Sequence, residues 1–177
     1  MTTYQALQKF YKENNFPIDG GESDAYFNLK FQFFTLKLPN FKFRKEVIYI
    51  HDIQHILNNC DTTWKGEAFI AGWEIGTKMW KHIPIGFISL WAMGFSLLNH
   101  PKQLLKGYKT GINTKNILDL QLKKDTLLQL PISDLKTALQ KEHATPMNWL
   151  VFLFWCFTSL IVFLFPLLLI ITCIILL

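Results

Sequence analysis

Within residues 49–74, YIHDIQHILNNCDTTWKGEAFIAGWE, His51, Asp52, His55, Glu67 and Glu74 stand at spacings that could hold a cation or move a proton. Residues 47–58 carry Val47, Ile48, Ile50, Ile53, Ile56 and Leu57 at helical spacing, so this segment is expected to be a helix. His51 and His55 are then i, i+4 and lie one turn apart on one face. Asp52 is three residues before His55, and the three side chains span an arc of about 100°. A divalent ion takes three or four nitrogen and oxygen ligands, so a further donor must come from elsewhere. Eleven residues separate His55 from Glu67, and NNCDTT within that gap is turn chemistry. The chain can therefore double back and place Glu67 in the first turn of the next helix, facing the histidines. Glu74, two turns further along the same face, is a group to orient a histidine or to act as a general base. Two imidazoles and two carboxylates suit Zn²⁺, Mn²⁺ or Fe²⁺, and Mg²⁺ where water fills its shell. The bland alternative is a polar histidine pair on a surface helix.

The opposite end of the chain has another chemistry. No charged residue follows Glu142, and from Met147 to Leu177 the sequence is almost wholly apolar. About 20 apolar residues suffice to cross the hydrocarbon core, so residues 147–177 are expected to form a transmembrane anchor. Pro166 lies inside it, which membrane helices tolerate. MTTYQALQKFYKENNFP has no continuous apolar core, so a signal peptide is not expected at the start. Lys136 and Lys141 precede the anchor, and the positive-inside tendency then puts the domain on the cytoplasmic side or its organellar equivalent.

The elements that must position these groups read as mostly helical. Residues 2–14 show a helical pattern through Tyr4, Leu7, Phe10 and Tyr11, and NNFPIDGGESD marks a loop. Residues 24–38 fit a helix face or a strand; Pro39-Asn40 makes a turn, after which FKFRKEV alternates and would pair back as a short ribbon. A helix is expected from Trp64 to about Lys81, capped by Asp61, Thr62 or Thr63. The apolar run 83–98 is short for spanning and is read as a buried core helix, with a re-entrant membrane segment as the alternative. Shorter helices follow over 102–114 and around 119–130, and a last one enters through Ser133 or Asp134. The expected organisation is an N-terminal helix and loop (1–24), a helical domain with at most one small β-ribbon (25–146), and the anchor (147–177): an all-α fold with a C-terminal transmembrane helix.

Composition narrows the function classes. The net charge of +5 suits an anionic lipid surface. The lysines are scattered and no nucleic-acid motif accompanies them, so no nucleic-acid partner is expected. Three cysteines do not form a disulfide framework. Five histidines are too few for the histidine boxes of membrane di-iron enzymes. The HD pair alone also suggests a phosphohydrolase, but no further set of His and Asp ligands accompanies it.

The spacing HDxxH, eleven residues, then E is matched in full by His51, Asp52, His55 and Glu67. It resembles the signature of the coenzyme Q biosynthesis protein four family, an accessory family of ubiquinone synthesis. FRKEV before the motif, GEAFIAGWEIG after it and the later LLQLPISDLKTAL agree with the likeness, which covers roughly residues 25–140. The resemblance implies a helical protein that binds a divalent metal, usually considered zinc, through these four residues and holds an isoprenoid tail. It implies a role beside other quinone-biosynthesis enzymes in the oxidative decarboxylation that replaces the ring C1 carboxyl by a hydroxyl. An intrinsic transmembrane tail departs from the family pattern. Two classes of function stay open: a metal-dependent enzyme acting on a prenylated quinone precursor, with Glu67 or Glu74 moving a proton, and a non-catalytic isoprenoid-binding scaffold. A homodimer is a further candidate assembly.

Overall fold

A computed structural model describes residues 1–31 and 34–176. The fold is all-α with one two-stranded ribbon: α1 (Thr3–Glu13), β1 (Tyr26–Lys30), β2 (Thr35–Pro39), α2 (Lys42–Lys45), α3 (Ile48–Asn58), α4 (Trp64–Gly76), α5 (Ile85–Asn99), α6 (Pro101–Gly111), α7 (Lys124–Gln129), α8 (Ile132–Leu139) and α9 (Trp149–Leu176). The chain forms two compact units. One contains residues 1–59 and 123–135, the other residues 60–122 and 136–177.

In the first unit, α1 opens with a capping box, in which Thr2 accepts from the Gln5 amide and Gln5 accepts from the Thr2 amide. Its apolar face, Ala6, Leu7, Phe10 and Tyr11, is buried and packs against α3 and α7. Antiparallel pairing runs from Tyr26↔Pro39 to Lys30↔Thr35. The ribbon thus forms within 26–39, one step earlier than the sequence suggested, and FKFR winds into α2 instead of pairing back. The cause is Asn40. Its buried side chain donates to the Gly21 and Asp24 carbonyls and accepts from Arg44, which ends the extended run and favours a helical turn after it. Arg44 also lies 3.9 Å from the Phe27 ring centre.

In the second unit, α4 and α6 pack closely through glycines. Gly72 and Gly76 of α4 face the Leu104 and Tyr108 backbone, and Gly107 and Gly111 of α6 face the Phe69 and Trp73 backbone. Ala71, Ile75, Met93, Leu104, Tyr108 and Phe152 form the core around this crossing. The helix expected to reach Lys81 stops at Gly76. Lys78 takes a left-handed conformation (φ 68°) and a 3₁₀ turn, Met79–Lys81, follows, so the break precedes Pro84. Leu130 is extended ahead of Pro131, and α8 starts directly after that proline, with Ser133 and Asp134 inside its first turn.

α5 is buried along one face only. Gly86, Ser89, Met93, Gly94 and Ser96 face inward. Its neighbour α9 contains an 18-residue window, Trp149–Pro166, that is long and apolar enough to cross a membrane.

Candidate metal centre

α3 presents His51 and His55 on one face because Ile50 and Ile53 are drawn into the core on another. The helix ends on Asn59, left-handed at φ 51°, a conformation Asn adopts more readily than most residues. Asp61 then accepts from the Thr63 amide (3.0 Å) and hydroxyl (2.6 Å). Thr63 in turn caps α4. This turn puts Glu67 in the first turn of α4, as the spacing predicts.

The Nε2 atoms of His51 and His55 are 3.2 Å apart, with ring centres at 4.9 Å in an edge-to-face arrangement. His55 is buried and lies 5.9 Å from Phe10, ring centre to ring centre. His51 and His55 offer ring nitrogens from one unit, and Glu67, in the first turn of α4, offers a carboxylate from the other. The fit to a cation can be judged from this geometry. Zinc–nitrogen bonds of about 2.0–2.1 Å in a tetrahedron give nitrogen pairs about 3.3 Å apart, close to the observed separation. The group is compatible with a divalent metal.

Asp52 and Glu74 are not among these three donors. Asp52 is buried, and its carboxylate accepts a hydrogen bond from the Tyr11 hydroxyl. Burial, then the charge and hydrogen bond of Asp52, push the Tyr11 phenol far above its ordinary range. Tyr11 therefore stays a neutral donor. Arg44 is held below its ordinary value by burial, against the opposing attraction of Asp52. Glu74 is buried two turns beyond Glu67, where Thr77 donates to its carbonyl. Of the other histidines, His82 pairs with Asp119 at 3.1 Å, and His100 joins α5 to α6.

Sequence reasoning missed Tyr11 and Arg44 as partners of Asp52. The available signal was general: a carboxylate buried next to a histidine pair needs a donor and a positive charge. Tyr11, with an apolar body and a polar tip on the buried face of α1, meets the first need. In comparisons with known proteins, the chain matches no family model, no curated protein and no solved structure.

Proposed function

We propose that this chain is a membrane-anchored protein that binds a divalent metal, zinc foremost, and serves ubiquinone or prenylquinone synthesis. Its role is to support, beside the other enzymes of that synthesis, oxidative decarboxylation at ring C1 of a prenylated aromatic acid, in which the ring–carboxyl bond breaks with loss of carbon dioxide, a hydroxyl takes its place, and dioxygen is the two-electron oxidant and oxygen source. The observation that carries this reading is the His51–His55 pair, with its Nε2 atoms 3.2 Å apart, on the HDxxH-x₁₁-E spacing whose resemblance implies such a site completed by Glu67. Asp52, the fourth residue of that spacing, acts through Tyr11 and holds the histidine-bearing helix.

When bound, the cation supplies Lewis acidity toward the carboxylate and neighbouring oxygens of the aromatic acid. His51 and His55 bind it through neutral ring nitrogens, and Phe10 restricts the His55 ring. Glu67 completes the donor set, and Glu67 or Glu74 takes up a proton. A lipid-soluble substrate is favoured by a run of aromatic rings. Phe163 of α9 lies 5.9 Å from Phe95, and Phe95 lies 4.6 Å from Trp64, one turn before Glu67. α9 crosses the bilayer, and the basic domain faces the cytoplasm or the equivalent organellar side.

The test is the quinone profile of cells made dependent on this chain. With His55→Ala or Glu67→Ala, the prenylated acid that retains its carboxyl should accumulate and the finished quinone should fall. Full quinone output from both variants, with partner enzymes still co-purifying, would replace this reading with the isoprenoid-binding scaffold.

A further inference from the structure

We infer that α5 is itself immersed in the bilayer, beside α9, within the leaflet nearest the domain. The inference rests on the reading of α9 as a membrane span. It extends the membrane contact from one helix to a helix pair, the second of which does not cross.

The polarity of α5 is inverted relative to a helix on a water-facing surface. Ser89 and Ser96 are 1% and 4% exposed, whereas Phe87 and Leu98 are 58% and 61% exposed. At about 100° per residue, Gly86, Ser89, Met93 and Ser96 share one arc and Phe87, Ile88 and Leu98 the opposite one, with the buried Gly94 at the edge beside Phe87, where α9 packs. In water such an arrangement exposes apolar area that burial would stabilise by about 25 cal/mol per Å². In hydrocarbon the same arrangement is favourable, because small and weakly polar residues belong at the helix–helix seam. The seam has that chemistry. A Cβ on Gly94 would lie 3.0 Å from the Ser159 carbonyl carbon. The hydroxyls of Ser89 and Ser159 turn back to the Ile85 and Cys156 carbonyls of their own helices, so neither needs water.

Position along α9 gives a second, independent line. A window of about 20 residues, the length needed to span, includes residues 157–168 wherever it is placed within Trp149–Leu176. Ser159 and Phe163 therefore lie in hydrocarbon in every such placement. Gly94 packs on Ser159, and the Trp91 and Phe95 rings lie 5.2 and 5.9 Å from the Phe163 ring. The middle of α5 is carried to the same depth. The Trp80 and Trp155 rings lie 4.8 Å apart, tilted, and Lys109 lies 5.5 Å from the Trp149 ring centre, the residue types of a membrane–water boundary. With 15 residues, α5 is about 22 Å long, short of the roughly 30 Å of a hydrocarbon core. It enters the leaflet without crossing.

The test uses the full chain, with Cys60, Cys156 and Cys173 replaced by Ala, in phosphatidylcholine–phosphatidylglycerol vesicles. A nitroxide is placed singly at Phe87→Cys, Leu98→Cys, Ile161→Cys and Lys115→Cys, with Ile88→Cys as the substitute if Phe87→Cys fails to fold. Collision of each label with oxygen is compared with its collision with a water-soluble nickel chelate. The labels on α5 should favour oxygen as the Ile161 label does, while the Lys115 label favours nickel. Nickel-favoured α5 labels beside an oxygen-favoured Ile161 label would overturn the inference and leave the anchor standing. A nickel-favoured Ile161 label would overturn both. Spin–spin broadening between singly labelled chains at position 87 would overturn it in favour of a second copy covering this face.

Discussion

Replacing Gly107 by Ala sets two effects of known size against each other. In an isolated helix the change is favourable by about 1 kcal/mol. In this fold the new Cβ would press on the Phe69 carbonyl, 2.8 Å from its carbon and 3.0 Å from the Phe69 Cα. Carbon atoms in contact sit about 3.5–4.0 Å apart. All the nearest atoms are backbone, so none can swing aside, and α4 and α6 must separate by roughly 0.5–1 Å. A gap of that size forfeits about a quarter to a half of the dispersion energy across it. The loss falls on Leu104 and Tyr108 of α6 and on Ala71 and Ile75 of α4, which form the core there. Overpacking of this kind costs about 1–3 kcal/mol, and the all-backbone obstruction places Gly107→Ala at the upper end. After the helix-propensity gain, about 2 kcal/mol of destabilisation remains. For a chain of this size that lowers Tm by about 4–8 °C. Thermal melts of the detergent-purified protein followed by tryptophan fluorescence measure it, with Thr110→Ala on the exposed side of α6 as the reference. A Tm at or above wild type would show that helix propensity wins and that the α4–α6 crossing is looser than described.

Two further predictions concern the surroundings of the histidine helix and the turn that follows it. Tyr11→Phe removes the hydroxyl that donates to the buried Asp52 carboxylate; a hydrogen bond to a charged group contributes about 1.5–3 kcal/mol, so the urea midpoint should fall with an unchanged slope, and an unmoved midpoint would count against this pairing. Burial, then Asp61 and more weakly Glu67, raise the Cys60 thiol to about 11 against the opposing charge of Lys106. The thiolate is the charged form, so the folded chain keeps this proton at pH values where an unfolded thiol, near about 8.5, has begun to lose it. Stability from this group is complete below about pH 8.5 and is lost as pH rises through about 11. Iodoacetamide should accordingly label native Cys60 on the order of 10²-fold more slowly than urea-unfolded chain at pH 8, and equal rates would contradict the shift.

Much of this architecture was legible because its signals are local. His51 and His55 needed only the 3.6-residue period, and Glu67 only the turn chemistry of Asp61 and Thr63. The long apolar helix α9 needed only the absence of charge after Glu142. What escaped depends on contacts distant in sequence. The ribbon was displaced because Asn40 reaches back to Gly21 and Asp24, which no window around FKFRKEV contains. The partner of Asp52 is Tyr11, on a different helix. α5 is the instructive case. IGFISLWAMGFSLLN is apolar on nearly every side, so its periodicity carries no information about which face turns inward. Packing against α4, α6 and α9 decides that, and the result buries Ser89 and Ser96 while Phe87 stays exposed.

The central claim is that His51, His55 and Glu67 form a metal site, and metal content measures it most directly. Elemental mass spectrometry of the detergent-purified wild type should find about one divalent ion per chain, lost in both His55→Ala and Glu67→Ala. Metal-free wild type, or metal retained by both variants, would contradict the claim and reduce the trio to a polar pair beside a carboxylate.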